Sequence, residues 1–143
     1  MISEVKRQNA ECKMQNAKPA TTKAAAVVRD IAERLLDFAS ACFGLANRLG
    51  QTAAGRYMAG QLMRAGASAG ANYQEACGAE SRADFIHKLQ IVLKELREAH
   101  YWLQLICRTG LVPSEAAKPT LGEADELVRI VAKSVVTAKS KLT

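Results

Sequence analysis

Aromatic side chains make up only 5% of this 143-residue sequence, and it has a single tryptophan. A β-sandwich draws its core from β-branched and aromatic residues. That scarcity, beside a 49% hydrophobic content carried mainly by Ala, Leu and Val, points to close-packed helices. Proline is equally scarce: Pro19, Pro113 and Pro119 are the only three, which leaves two long stretches without a helix breaker. The four cysteines, Cys12, Cys42, Cys77 and Cys107, stand singly. No Cys-x-x-Cys pair or Cys-His cluster supplies the ligand spacing of a zinc or haem site, so free buried thiols are the expected state. No apolar run is long enough to span a bilayer, and Glu4, Lys6, Arg7, Gln8 and Asn9 stand where a signal peptide would be apolar. A cytoplasmic protein without membrane contact is expected.

What the chain does contain is apolar residues at alternating steps of three and four. Val28, Ile31, Leu35, Phe38, Cys42, Leu45 and Leu49 predict a first helix that ends near Gly50. Thr52 is the expected N-cap of a second helix running to about Gly78, with Met58, Leu62, Ala65, Ala69, Asn72 and Ala76 along its seam. Ser81 opens the third, strongest periodic segment, Phe85, Leu89, Val92, Leu96, Ala99, Leu103 and Ile106, which runs to about Thr109 and is stopped by Gly110. Pro113 and Pro119 then predict a loop. Thr120 and Glu123 form a capping box for a fourth helix with the seam Ala124, Val128, Val131, Val135, Ala138 and Leu142. Short connections make consecutive helices antiparallel, and the 3-4 spacing suits left-handed packing. The expected fold is therefore an all-α, up-down-up-down four-helix bundle over residues 27–143. Residues 1–26 hold five Lys/Arg against two acids, half of the net charge of +6, and read as a flexible polar and basic extension.

Enzyme chemistry needs a converging acid, base or nucleophile, and no such pattern is present. There is no Ser-His-Asp set, phosphate-cradling glycine loop or nucleotide fingerprint. Asp84-x-x-His87 has the spacing of half a ferritin-like metal site, but the seams above contain no carboxylate to complete one. His87 and His100 are thirteen positions apart, about 20 Å along one helix, too far for joint ligation. The expectation is a protein with no catalytic residue, no metal and no cofactor. The informative polar feature is a stripe on the third predicted helix: His87, Gln90, Lys94, Arg97, Tyr101, Gln104 and Arg108, without an acid among them. Asp84, Glu95, Glu98 and Trp102 fall on the neighbouring face. Cations with an interleaved aromatic suit a phosphate backbone and a stacked base, which makes Lys94, Arg97, Tyr101 and Arg108 the candidate nucleic-acid-binding residues. A solvated helix flank or a docking face for an acidic protein fits the same pattern.

Four segments make the sequence recognisable: SAGANYQEA (Ser68 to Ala76), SRADFIHKL (Ser81 to Leu89), YWLQLI (Tyr101 to Ile106) and EADELVRIVAKSVVTAKSK (Glu123 to Lys141). Together they resemble the bacterial four-helix-bundle proteins named for intervening sequences in large-subunit ribosomal RNA. That family is similar in fold to the accessory variability determinant proteins of diversity-generating retroelements. The resemblance covers roughly Val28 to Lys141. It implies a bundle without enzymatic activity. Through the retroelement relatives, it also implies a homopentameric ring that binds nucleic acid and a reverse transcriptase.

Self-association is also suggested by the glycines of the second helix. Gly55, Gly60, Gly66 and Gly70 each cost about 1 kcal/mol relative to Ala inside a helix, so a packing reason is expected. Gly66 and Gly70, with Ala59 and Met63 on their side, leave a strip on which another backbone can sit. That backbone belongs either to a helix of the same bundle or to a second copy, and Gly66 and Gly70 are the candidate oligomer interface. Two functions follow. One is a non-catalytic, oligomeric nucleic-acid-binding accessory, assisting a reverse transcriptase or a ribonucleoprotein; the other is a protein-protein scaffold with no nucleic-acid role.

Overall fold

The computed structural model describes residues 30–142, and the expected extension over residues 1–26 lies outside them. Four helices account for nearly all of this span: α1 (Ile31–Leu49), α2 (Ala53–Cys77), α3 (Arg82–Thr109) and α4 (Ser114–Ser140). Each packs against its sequence neighbour, and α1 meets α4 to close the ring, giving the antiparallel up-down-up-down bundle. Arg34 of α1 clasps α4 with a bidentate pair to Glu123 at 2.8 and 2.9 Å and a further contact to Glu126 at 3.2 Å.

The helix starts follow local chemistry. Asp30 accepts a hydrogen bond from the Ala32 amide at 3.0 Å, so α1 begins at Ile31, three residues later than its apolar pattern. Thr52 and Ser81 cap α2 and α3 as their sequences predict, accepting from the Gly55 and Asp84 amides at 2.9 and 3.0 Å. Gly110 ends α3 in the left-handed conformation, φ 69°, that a side chain would disfavour.

The fourth helix departs most from expectation. It starts at Ser114 after Pro113, and Pro119 lies inside it. Pro119 removes one amide donor near the helix start, where its ring is exposed, while Ala117 and Thr120 point into the core. Thr120 is thus a buried seam residue instead of an N-cap, and its supposed capping partner Glu123 is engaged by Arg34.

The core is lined by Leu35, Phe38 and Cys42 from α1, Leu62, Ala65 and Ala69 from α2, Leu89, Leu96 and Leu103 from α3, and Leu127 and Val131 from α4. Each fully buried Leu or Phe contributes about 1.5 to 3 kcal/mol. Some seams shift by one position: Ile86 is buried where Phe85 was expected, Leu127 replaces Val128, and Leu142 is exposed. On α2 the buried position is Tyr73, not Asn72. The Asn72 amide is half-buried and donates to the Ser68 carbonyl and hydroxyl one turn back, so it satisfies its own helix and fixes no inter-helical register. Cys42 and Cys107 are free thiols, whereas Cys77 is disulfide-bonded, against the expectation of free thiols throughout.

Candidate nucleic-acid interface

The α3 stripe is built by helix geometry: with Leu89, Leu96 and Leu103 turned into the core, residues offset from them by one position face outward. His87, Gln90, Lys94, Arg97, Tyr101, Gln104 and Arg108 are all exposed. From Lys94 to Arg108 the stripe is about 21 Å long. Among the described residues, none of Lys94, Arg97 and Arg108 forms a salt bridge.

The acids of α3 are treated differently. Arg64 of α2 reaches across the α2–α3 seam to Glu95 at 3.1 Å and to Glu98. Its hydrogen bond holds the Glu98 carboxyl below the usual carboxylate range. Lys88 is similarly paired with Glu75 at 2.6 Å. The two helices therefore neutralise most of their charges along the seam, and Lys94 also attracts the Glu98 carboxylate one turn on, whereas Arg97 and Arg108 keep their positive charge on the outer surface.

An aromatic cluster borders the stripe. Trp102 meets Tyr101 at a ring-centroid distance of 5.1 Å and Tyr57 of α2 at 5.7 Å, both edge to face. The indole N–H donates to Glu98 Oε1 at 3.4 Å, so the chain Arg64–Glu98–Trp102 orients the ring. Tyr57 and Tyr101 are 62% and 56% exposed, unusual for large aromatic side chains. Tyr57 escaped the sequence reading, although the capped turn at 78–81 places it at Trp102's height on the neighbouring helix.

Gly66 and Gly70 do not lie on this face. A Cβ at Gly66 would stand 3.0 Å from Cys42 Sγ, and one at Gly70 would stand 3.6 Å from Leu35 Cβ, so the backbone that these glycines admit is α1 of the same chain. Gly55 is tighter still, with the Leu49 carbonyl oxygen 1.8 Å from the position of a Cβ. Gly60 meets nothing within 4 Å. Gly70 also lines a shallow surface groove of about 390 Å³ between α1 and α2, together with Leu36, Ala39, Ala67 and Ala71. Among the described residues no three His, Cys, Asp or Glu side chains converge on a metal position, and no helix is long and apolar enough to cross a membrane.

Residues 29–133 match the 23S rRNA-intervening sequence protein family. A solved structure from Bacteroides thetaiotaomicron VPI-5482, described as a protein with unknown function from the S23 ribosomal protein family, is similar to this chain. It is 35% identical, superposes with a TM-score of 0.69, and the match covers 73% of this chain and 97% of that one. No functionally curated protein matches the sequence.

Proposed function

The chain belongs to the 23S rRNA-intervening sequence protein family, and from the unpaired basic stripe on α3 we propose that it acts as a non-catalytic nucleic-acid-binding accessory protein. One observation carries this reading: Lys94, Arg97 and Arg108 stand exposed without a salt bridge among the described residues, while Glu95 and Glu98 of the same helix are engaged by Arg64. A solvated flank ordinarily interleaves its charges, whereas this one segregates them and leaves the outer surface for phosphates. The partners in this reading are RNA or DNA and, by the family resemblance, a reverse transcriptase or ribonucleoprotein. A cytoplasmic location belongs to the same reading.

Self-association belongs to the same proposal, but at a different place from Gly66. The α1–α2 side exposes Leu36 at 68% and Phe43 at 44%, and Gly44 and Gly60 there have open space where a side chain would stand. A second copy covering that side is the assembly we propose, and a ring follows if the contact is heterologous and closes. The same exposed apolar side favours the alternative, a protein-protein scaffold.

Salt separates the two functions. Binding of two unrelated RNAs, titrated at 50 and 200 mM salt, weakens steeply and alike for both if phosphates are neutralised. Absent binding at low salt, or affinity indifferent to salt, would overturn the nucleic-acid reading in favour of the scaffold.

A further inference from the structure

Beside the stripe, the cluster Tyr57–Trp102–Tyr101 has a geometry that phosphate binding does not require. We infer that it is a stacking platform for unpaired bases, and that the α3 face therefore selects single-stranded over duplex nucleic acid. This rests on the nucleic-acid reading above and narrows its ligand.

The two tyrosines flank Trp102 on one surface, one from each of two helices, and each is more than half exposed. Edge-to-face contacts stiffen the cluster without covering the outer tyrosine faces, and the Glu98 hydrogen bond fixes the indole. Pre-organised rings lose little freedom on binding. In a duplex each base has its faces covered by its neighbours, so such rings gain nothing from it; an unpaired base can stack on them. The cations are placed to serve the same strand. On α3, Arg97 lies one turn before Tyr101 and Arg108 two turns after it, so both backbone directions leaving a base stacked at Tyr101 meet a free guanidinium. Arg56, exposed beside Tyr57 in the chain, adds a third.

The sole tryptophan is an internal reporter, because no other indole contributes to the emission. The full chain is titrated with a fluorescein-labelled 20-nucleotide oligothymidylate and, separately, with the same strand annealed to oligoadenylate, while anisotropy and Trp102 emission are followed. We expect roughly tenfold or tighter preference for the single strand and a change in Trp102 emission with it alone. Replacing both Tyr57 and Tyr101 by Leu should weaken single-strand binding about tenfold or more and leave duplex binding within about twofold. Tyr57→Phe with Tyr101→Phe keeps the ring faces and should keep the affinity, and circular dichroism confirms that each variant is folded. Equal, salt-dependent affinity for both probes, unaffected by the Leu variants, would overturn the stacking platform while leaving phosphate binding in place. Loss of binding to both probes already in the wild-type protein would overturn the nucleic-acid reading itself.

Discussion

Replacing Arg97 and Arg108 together by Gln is the sharpest test of the stripe, because its effect can be worked out before the experiment. Both side chains are exposed and make no salt bridge among the described residues, so their loss removes charge without opening the core. If Lys94, Arg97 and Arg108 each neutralise one phosphate of a single strand, they contribute about −2.1 to the slope of log affinity against log salt. A rise from 50 to 200 mM salt then weakens wild-type binding roughly 20-fold through these three contacts alone. With Lys94 left, the same rise costs only about 3-fold. On duplex DNA the slope should fall by about 1.8 when the two arginines go. Fluorescence anisotropy at four or five salt concentrations measures the slope directly, and urea unfolding of both proteins checks that stability is unchanged. A variant whose slope equals the wild type's would falsify the assignment, whatever happens to its affinity at one salt concentration, because only the slope counts displaced ions. Glu98→Gln is a useful companion: it should not flatten the slope, since Glu98 faces Arg64 instead of the ligand.

Four further outcomes follow from the packing. Glu98 is held below the ordinary carboxylate range by the hydrogen bond from Arg64, so its contribution to stability is complete above that range and lost as the pH falls through the lowered value; Glu98→Gln should therefore be destabilising at pH 7 and progressively less so as the pH falls below the carboxylate range, followed by urea unfolding. Burial pushes the Cys42 thiol up to about 12, so Cys42 should resist a thiol reagent at pH 8 until the protein is unfolded. Gly122 lies in a helix with open space at the Cβ and away from the proposed contact, and replacing it by Ala should add about 0.5 to 1 kcal/mol to the unfolding free energy. By contrast, Gly66→Leu should lower stability by about 1 to 3 kcal/mol or more, since its side chain enters the space of Cys42.

The bundle was legible because its signals agree with one another. Thr52, Ser81 and Gly110 are caps whose chemistry is local, and each acts as its neighbours predict. The seams of α2 and α3 are likewise a local periodicity, and they err only where two residues compete for one position. Ile86 wins over Phe85 and Tyr73 over Asn72, since the choice depends on the partner helix. Helix four shows the opposite case. Pro119, Thr120 and Glu123 make a persuasive local start signal, but the burial of Ala117 and Thr120 favours two more helical turns before it, and the Arg34 pair draws Glu123 away. A single missing amide bond near the exposed end of a helix is a small cost beside an added stretch of core contact.

The candidate site was readable only along the helix, not across helices. Exposure of all seven stripe residues follows from the α3 period, but two facts that give the stripe its meaning come from α2. Arg64 takes the acids Glu95 and Glu98, and Tyr57 extends the aromatic surface past Trp102. Neither is visible in a one-helix reading, where Glu95 and Glu98 look like free neighbours of the cations. The glycines make the complementary point. Gly66 looked like a surface for another chain because the sequence shows a missing side chain and not what fills the gap; α1 fills it there, whereas Gly70 also lines the open groove beside Leu36. The self-association proposed above uses the α1–α2 side, where Gly44 and Gly60 are left uncovered. Leu36→Glu with Phe43→Glu, both exposed, is then the substitution that should yield a folded monomer in light scattering. A wild-type protein already monomeric at tens of micromolar would leave Gly44 and Gly60 without a packing reason and would remove assembly from the proposal.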